Sequence, residues 1–259
     1  MQNQQPSTLK EIRVHGTQNF PCAFYQTGTR IKGNIVKHHW HEEVELLYFS
    51  GGEFCLEVNM ERFHISEECF YFINPGELHS INVEKNGGCV ENAVVFHMDM
   101  LNSSYSLDQI QTNLIQPVQN GSIQFPRCLR KDEPAFEQVR TAYEEIQNAF
   151  SGSAYRGDYY DGEAVTDDIT RQLFIKSALL RILAALSANN LFEVTEKNHD
   201  RRIETIKTTL TYIQEKYKEK IYIRDLAGLI GMNEQYFCRF FKKVIGRSPM
   251  EYVNEYRIK

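Results

Sequence analysis

Between Ile31 and about Met98 the chain alternates apolar and polar residues in short runs, and a Gly or Asn turn interrupts every eight to ten residues. Val44-Glu-Leu-Leu-Tyr-Phe, Phe54-Cys-Leu-Glu-Val, Phe63-His-Ile, Cys69-Phe-Tyr-Phe-Ile and Ala93-Val-Val-Phe-His are the apolar runs, with turns at Gly51-Gly52, Asn59 and Asn74-Pro75-Gly76. Side chains two apart on a strand share a face, so this pattern buries one side of each strand and predicts an antiparallel barrel or sandwich. Past residue 100 the period changes. A polar stretch (Asn102 to Gln124) leads to helical spacing over Ala135 to Phe150, then a Gly, Tyr and Asp-rich loop over Ser151 to Gly162. A longer helix is expected from about Asp167 to Ala188, with Leu173, Leu179, Leu180, Leu183 and Leu186 among its apolar positions. Residues 189–200 read as a linker, and the remainder reads as helix.

At 259 residues the chain is long enough for two domains, and 42% hydrophobic against 24% charged residues excludes a disordered protein. No run approaches the ~18 apolar residues that cross a bilayer, and the start lacks a secretory signal, so a cytoplasmic protein with no membrane partner is expected. The six cysteines (22, 55, 69, 89, 128, 238) contain no Cys-x-x-Cys pair and read as reduced packing thiols. Charge is divided unevenly. Residues 201–259 carry 13 Lys or Arg against 7 Asp or Glu, whereas the first 200 carry 16 against 27. An acidic body with a basic end is expected where only that end meets a polyanion.

Within the first predicted strands, His39, His41 and Glu45 share parity and would face one side together. Two imidazoles and a carboxylate suit a borderline divalent metal, and His79, delivered by the Asn74-Pro75-Gly76 turn, could complete four ligands. The same polar groups could instead receive the hydroxyls or carboxylates of an organic ligand. Gly33 to Gly52 resembles the first motif of the cupin superfamily, G-x5-H-x-H-x3-E-x6-G, at every stated position. The second motif is partial: Gly76 and His79 are kept, but Asn74 stands where proline is usual, Glu68 replaces the leading glycine and Val83 the closing asparagine. The resemblance implies that a metal, if one binds, is nickel, manganese or iron held by His39, His41, Glu45 and His79, and the donor set by itself would also accept zinc. A regulatory cupin needs no such cofactor and could use these residues for an organic effector.

The C-terminal helices are expected over Ile203 to Lys218, Arg224 to Ile230 and Asn233 to Val244. Gly231 allows a sharp reversal, Ala227 a close helix approach, and Asn233 an N-cap. In the last helix Phe237, Phe240, Phe241 and Val244 lie at i, i+3, i+4 and i+7 and form one stripe, leaving Gln235, Cys238, Arg239 and Lys242 on the other side. Such a helix matches the width of the DNA major groove. Arg239 can pair with guanine and Gln235 with adenine, while Lys242, Lys243 and Arg247 are placed for phosphates. From Asp225 to Tyr252 the sequence resembles the first helix-turn-helix of the AraC family of transcription regulators, through Leu226-Ala227, Gly231, Phe237, Arg239, Phe241-Lys242, Gly246, Ser248-Pro249, Tyr252 and Arg257-Ile258. The resemblance implies base reading at Gln235, Cys238 and Arg239, with Cys238 a poor hydrogen-bonding residue for the task. It also implies a second helix-turn-helix, which would lie past Lys259. Weak, strongly salt-dependent DNA binding is therefore expected of these 259 residues alone.

Together these readings predict an α+β chain. A cupin-like antiparallel β-barrel with an N-terminal arm (1–100) precedes a helical extension (101–190), a linker (191–200) and a partial helix-turn-helix domain (201–259). The implied function is a ligand-responsive, sequence-specific DNA-binding transcription regulator, not an enzyme. Its effector would be a sugar or other metabolite in the barrel, the segment Lys10 to Phe24 would act as a switch, and residues 167–188 would join a homodimer. RNA polymerase is a further expected partner. The alternatives are a metal-dependent cupin oxygenase or isomerase and a metal-sensing regulator, both using His39, His41, Glu45 and His79.

Overall fold

The protein is described here by a computed structural model covering residues 10–11, 13–29, 32–85, 89–105, 108–150, 168–195 and 201–258. The expected loop over Ser151 to Gly162 and the second half of the expected linker lie outside the described residues.

Eight strands open the chain: β1 Cys22–Thr29, β2 Gly33–His39, β3 Val44–Gly51, β4 Phe54–Val58, β5 Glu61–Ile65, β6 Cys69–Ile73, β7 His79–Val83 and β8 Cys89–Phe96. A 3-10 turn, Met98–Leu101, follows, and a π-helical turn, Gln111–Ile115, runs into α1, Gln116–Gln119. Then come β9 Ile123–Gln124, β10 Cys128–Arg130, α2 Phe136–Phe150, α3 Ile169–Ala188 and β11 Glu193–Val194. The last four helices are α4 Arg201–Lys216, α5 Ile223–Leu229, α6 Glu234–Ile245 and α7 Pro249–Ile258.

The strands form two antiparallel sheets, β1-β8-β3-β6-β10 and β2-β7-β4-β5. Alternation sets which side chain goes where. On β3, Leu47 and Phe49 point between the sheets and meet Phe54, Leu56, Ile81 and Val83 from the opposite sheet. Val44 and Leu46, on the other face, join Phe70, Phe72, Val94 and Phe96 against α2 and α3. The molecule is therefore layered as helices, five-stranded sheet, apolar filling and four-stranded sheet. A two-residue turn, Asn59-Met60 (φ 48° and 74°), closes the β4–β5 hairpin with the backbone twist such turns require.

Three features depart from the expected layout. The five-stranded sheet takes its edge strand from Cys128–Arg130, well past residue 100, because β10 pairs with β6 after the chain has crossed the sheet. The expected arm, Lys10 to Phe24, is an arm only as far as Pro21; from Cys22 onward it is β1, in register with β8. In the expected linker, Glu193–Val194 pairs with β9 and fastens the end of α3 to the barrel side.

Ile146 is fully buried in the layer that α2 and α3 form against the sheet. Its replacement by alanine removes buried methyl groups and leaves a cavity, so Ile146→Ala is expected to lower stability by about 2–5 kcal/mol in urea denaturation. A loss within about 0.5 kcal/mol, typical of surface positions, would contradict this packing.

Candidate functional site

The strands bring together all four barrel residues expected to meet. His39 pairs across β2–β7 with His79, and Glu45 opens the inward face of β3. The ligand atoms of His39, His41, Glu45 and His79 all lie within 4.8 Å of one another. Glu45 Oε2 is 2.9 Å from His79 Nε2 and 3.3 Å from His41 Nε2, and the rings of His39 and His79 are 4.1 Å apart at their centroids. His79 is wholly buried, and His41 and Glu45 nearly so.

The second ring nitrogen of each imidazole is already committed. His39 Nδ1 lies 2.9 Å from the Lys37 carbonyl, His79 Nδ1 2.9 Å from the Glu77 carbonyl, and His41 Nδ1 3.1 Å from the Glu43 carbonyl. A carbonyl only accepts, so each Nδ1 carries the hydrogen, and in a neutral ring Nε2 then presents a lone pair. Three such lone pairs beside one carboxylate form a donor set that calls for a cation among them, either protons on the rings or a metal ion. The residues present therefore fit a divalent ion.

The charges respond to this crowding. Burial drives His39 down to about 3, helped by the neighbouring His79 and opposed by Glu11 and Glu45. Burial also acts to lower His41, but its hydrogen bond to Glu45 and the surrounding carboxylates outweigh that and hold it above the usual histidine value. Glu45 is desolvated, yet His41 and His79 keep it well below the ordinary carboxylate range.

Two residues of the arm complete the site, and the sequence offered no periodic signal for them. Glu11 Oε2 sits 3.3 Å from both His39 Nε2 and His15 Nε2, and the His15 ring packs 5.2 Å from that of His41. They are placed by a chain crossing, where Glu11 N donates to the Trp40 carbonyl at 2.9 Å.

The turn carrying His79 is braced on every side. Gly76 N donates to the His41 carbonyl at 2.7 Å, and Leu78 N donates to Asn59 Oδ1 at 3.1 Å. Phe125 N donates to Asn74 Oδ1 at 2.8 Å. Arg127 grips the buried Glu77 carboxylate with both Nη atoms, at 2.5 and 2.7 Å. Gly76 has φ +79° and a side chain there would meet Lys207 Nζ of α4 at 3.2 Å, so glycine suits this position on both counts.

That last contact shows what lies on the other side. Leu78, next to His79, is buried in the core of the C-terminal helices with Ile206, Leu210, Phe237 and Phe241, and Trp40, between His39 and His41, packs on the same core. Lys207 Nζ of α4 lies 4.7 Å from the centroid of the Trp40 ring and Lys10 Nζ of the arm 4.8 Å.

In those helices Asn233 caps α6, its Oδ1 accepting from Gln235 N at 3.0 Å and Tyr236 N at 3.1 Å. Met232 N donates to the Ala227 carbonyl at 2.9 Å as the chain reverses through Gly231 at φ +64°. Ser248 and Glu251 form a reciprocal cap on α7, and Arg257 donates to the carbonyls of Tyr217 and Glu219, tying α7 to the end of α4. Phe237, Phe240, Phe241 and Val244 are buried, while Gln235, Arg239, Lys242, Lys243 and Arg247 are exposed. Cys238 is half-buried against the same core rather than fully turned outward. Tyr236, which the face count passed over, is 55% exposed beside Gln235 and stacks on Phe240, adding an aromatic edge to the exposed face.

The His39 environment makes a pH prediction. An unfolded histidine takes up a proton near pH 6.5, whereas His39 in the folded metal-free protein resists protonation until about pH 3. Its contribution to stability is complete above pH 6.5 and is lost as pH falls through that window. Chelator-treated wild type should therefore lose stability on acidification from pH 6.5 to 4 more steeply than His39→Gln in chemical denaturation; parallel slopes would contradict the assignment.

Comparison with known proteins identifies both halves. Residues 27–166, just over half of the chain, match the AraC-like ligand binding domain, and residues 213–254 match the bacterial regulatory helix-turn-helix proteins of the AraC family. An HTH-type transcriptional regulator, YdeC of Bacillus subtilis, is 25% identical over 263 residues, spanning 96% of this chain and 80% of that protein. Among solved structures, ToxT of Vibrio cholerae with a bound unsaturated fatty acid covers 94% of this chain and 79% of its own at 11% identity and a TM-score of 0.41. A predicted oxalate decarboxylase of Thermotoga maritima covers 29% of this chain and 64% of its own at 25% identity and a TM-score of 0.27. With a cupin-like ligand-binding barrel ahead of a helix-turn-helix, the chain belongs to the AraC family of transcription regulators.

Proposed function

We propose that this regulator responds to a divalent metal ion held by His39, His41, Glu45 and His79, and that occupancy of the site changes how α6 is presented to DNA. The observation that carries the reading is the commitment of all three Nδ1 atoms to backbone carbonyls, which leaves three Nε2 atoms to converge on one place, those of His41 and His79 beside Glu45 and that of His39 beside Glu11. The close approach of the rings, with His39 and His79 at 4.1 Å, suits an ion better than a sugar ring. Zinc, nickel, manganese and iron(II) accept this mixed nitrogen and oxygen set. A bound dication would neutralise Glu45 and hold the rings in their present orientation.

The route to the DNA-binding helices is short. Trp40 and Leu78 stand next in sequence to three of the four ligands and pack on the core that contains α4 and α6. A ligand that favours one arrangement of His39, His41 and His79 therefore favours one docking of that core, by the difference in its affinity for the two arrangements. Gln235 and Arg239 would read base edges, with Lys242, Lys243 and Arg247 on phosphates and Cys238 contributing little.

A homodimer would form along α3, where Ile169, Leu173 and Leu180 lie on one exposed line of the helix while Ile175, Leu179, Ile182 and Leu186 face the sheet. Such a protein would act in the cytoplasm, and as an activator it would also touch RNA polymerase. Among the described residues no helix is long and apolar enough to cross a membrane.

Elemental analysis of tag-free protein after loading and desalting should give about one ion per chain, falling to background in His79→Ala. Equal loading of both proteins would overturn the metal reading, and saturable binding of an organic metabolite at the same four groups would replace it. For DNA, Arg239→Ala should cost about 1–3 kcal/mol on the preferred sequence and blur the preference, whereas Lys243→Ala should weaken all sequences alike and reduce the salt slope by about 1. Equal losses for Arg239→Ala on preferred and random DNA would contradict base reading.

A further inference from the structure

Cys22, Cys55, Cys69, Cys128 and Cys238 are all free thiols, but their surroundings differ sharply. Cys22 is fully buried, and its burial pushes the thiol far up, as expected of a packing residue. Cys128 is the opposite case. The β6–β10 register pairs Cys128 with Tyr71 and Arg130 with Cys69, so these four side chains lie at the corners of one patch on one face of the sheet. The patch opens on a surface pocket of about 480 Å³ that both thiols line. Cys69 stands diagonally across the register from Cys128, and Tyr71 directly opposite it, so the Cys69 thiol, the Tyr71 hydroxyl and the Arg130 guanidinium are the polar groups nearest the Cys128 sulfur on this face. The neighbouring Cys69 thiol first, with Tyr71 and Arg130, outweighs the effect of burial and lowers Cys128 to about 7, while Cys69 itself is pushed up. Of the described cysteines with a resolved shift, Cys128 alone moves downward.

We propose that Cys128 and Cys69 form a redox-modifiable thiol pair, in which Cys128 reacts with a hydroperoxide and Cys69 resolves the product as a disulfide joining β6 to β10. The Cys128 thiolate attacks one peroxide oxygen; an S–O bond forms, the O–O bond breaks, and the departing alkoxide or hydroxide takes up a proton. The Cys69 sulfur then attacks the resulting sulfenic sulfur. An S–S bond forms, the S–O bond breaks, and the leaving hydroxide combines with the Cys69 proton as water. Two thiols and one hydroperoxide yield one disulfide, one alcohol or water, and one further water. Three structural features favour the chemistry: the pocket admits a small peroxide, Arg130 stabilises the thiolate, and the three-residue edge strand β10 can shift locally to let the sulfurs bond. The site is separate from the histidine cluster and stands whether or not a metal binds there.

The test uses the full chain with its native cysteines. Brief hydrogen peroxide treatment, alkylation and peptide mass spectrometry should recover a Cys69–Cys128 cross-link that dithiothreitol reverses. The rate of Cys128 alkylation should rise with pH about a midpoint near 7, against roughly 8.5 for an ordinary cysteine, leaving about 15-fold more thiolate at pH 7. Cys69→Ala should shift that midpoint upward and leave a sulfenic acid at Cys128 that dimedone traps. Cys69→Ser, which keeps a hydrogen-bond donor, should retain much of the lowered midpoint yet form no disulfide. A wild-type midpoint near 8.5, or cross-linking spread among other cysteines at similar yield, would overturn the proposal without bearing on the histidine site.

Discussion

The alternation of a β-strand across its two faces is the constraint on which this molecule turns. At His39-Trp40-His41 and again at Leu78-His79, one side chain goes inward to the polar cluster and its neighbour goes outward to the C-terminal helices. Extended backbone at both places thus puts the candidate ligand groups and the docking surface of the DNA-binding core within one residue of each other. Coupling between the two needs no long chain of intermediaries, because an imidazole that reorients does so on the same peptide units that hold Trp40 and Leu78.

For this arrangement to transmit anything, the turn between residues 74 and 79 must not absorb the change. The buried Glu77 carboxylate makes it stiff. Arg127 binds both of its oxygens, Asn74 N donates to it at 2.8 Å and Asn59 Nδ2 at 3.1 Å, so its desolvation is met by charge-assisted and neutral hydrogen bonds together. A half-satisfied version would be costly, since a buried carboxylate without its arginine typically destabilises by about 3–5 kcal/mol. The departures from the usual second cupin motif are thereby accounted for in part. Asn74, where proline is usual, uses its side chain to fasten Phe125 to the turn, which proline could not do.

Much of this was legible in the residues. Period-two alternation marked β3 to β6 and β8, parity placed His39, His41 and Glu45 on one side, and Phe237, Phe240, Phe241 and Val244 at i, i+3, i+4 and i+7 oriented α6. The arm residues Glu11 and His15 were illegible because a non-local crossing places them, and β10 because three residues carry no periodic signal. Cysteine spacing suggested inert thiols throughout. The Cys69–Cys128 patch arises only when β10 is set in register beside β6, so pairing between distant segments, not local pattern, creates its chemistry. Cys238 sat on the outward side by angle, yet the neighbouring helices reach far enough round to half-cover it.

Trp40 is the only tryptophan in the chain and lies between two candidate ligands, with Lys207 of α4 over its ring. Its fluorescence therefore reports on the junction between site and DNA-binding core without added labels. Titrating metal-free protein with a divalent ion should shift or quench that emission with saturation near one equivalent per chain, and His79→Ala should abolish the response. Stoichiometric metal uptake by the wild type with Trp40 emission unchanged would contradict the coupling of the histidine cluster to the helices.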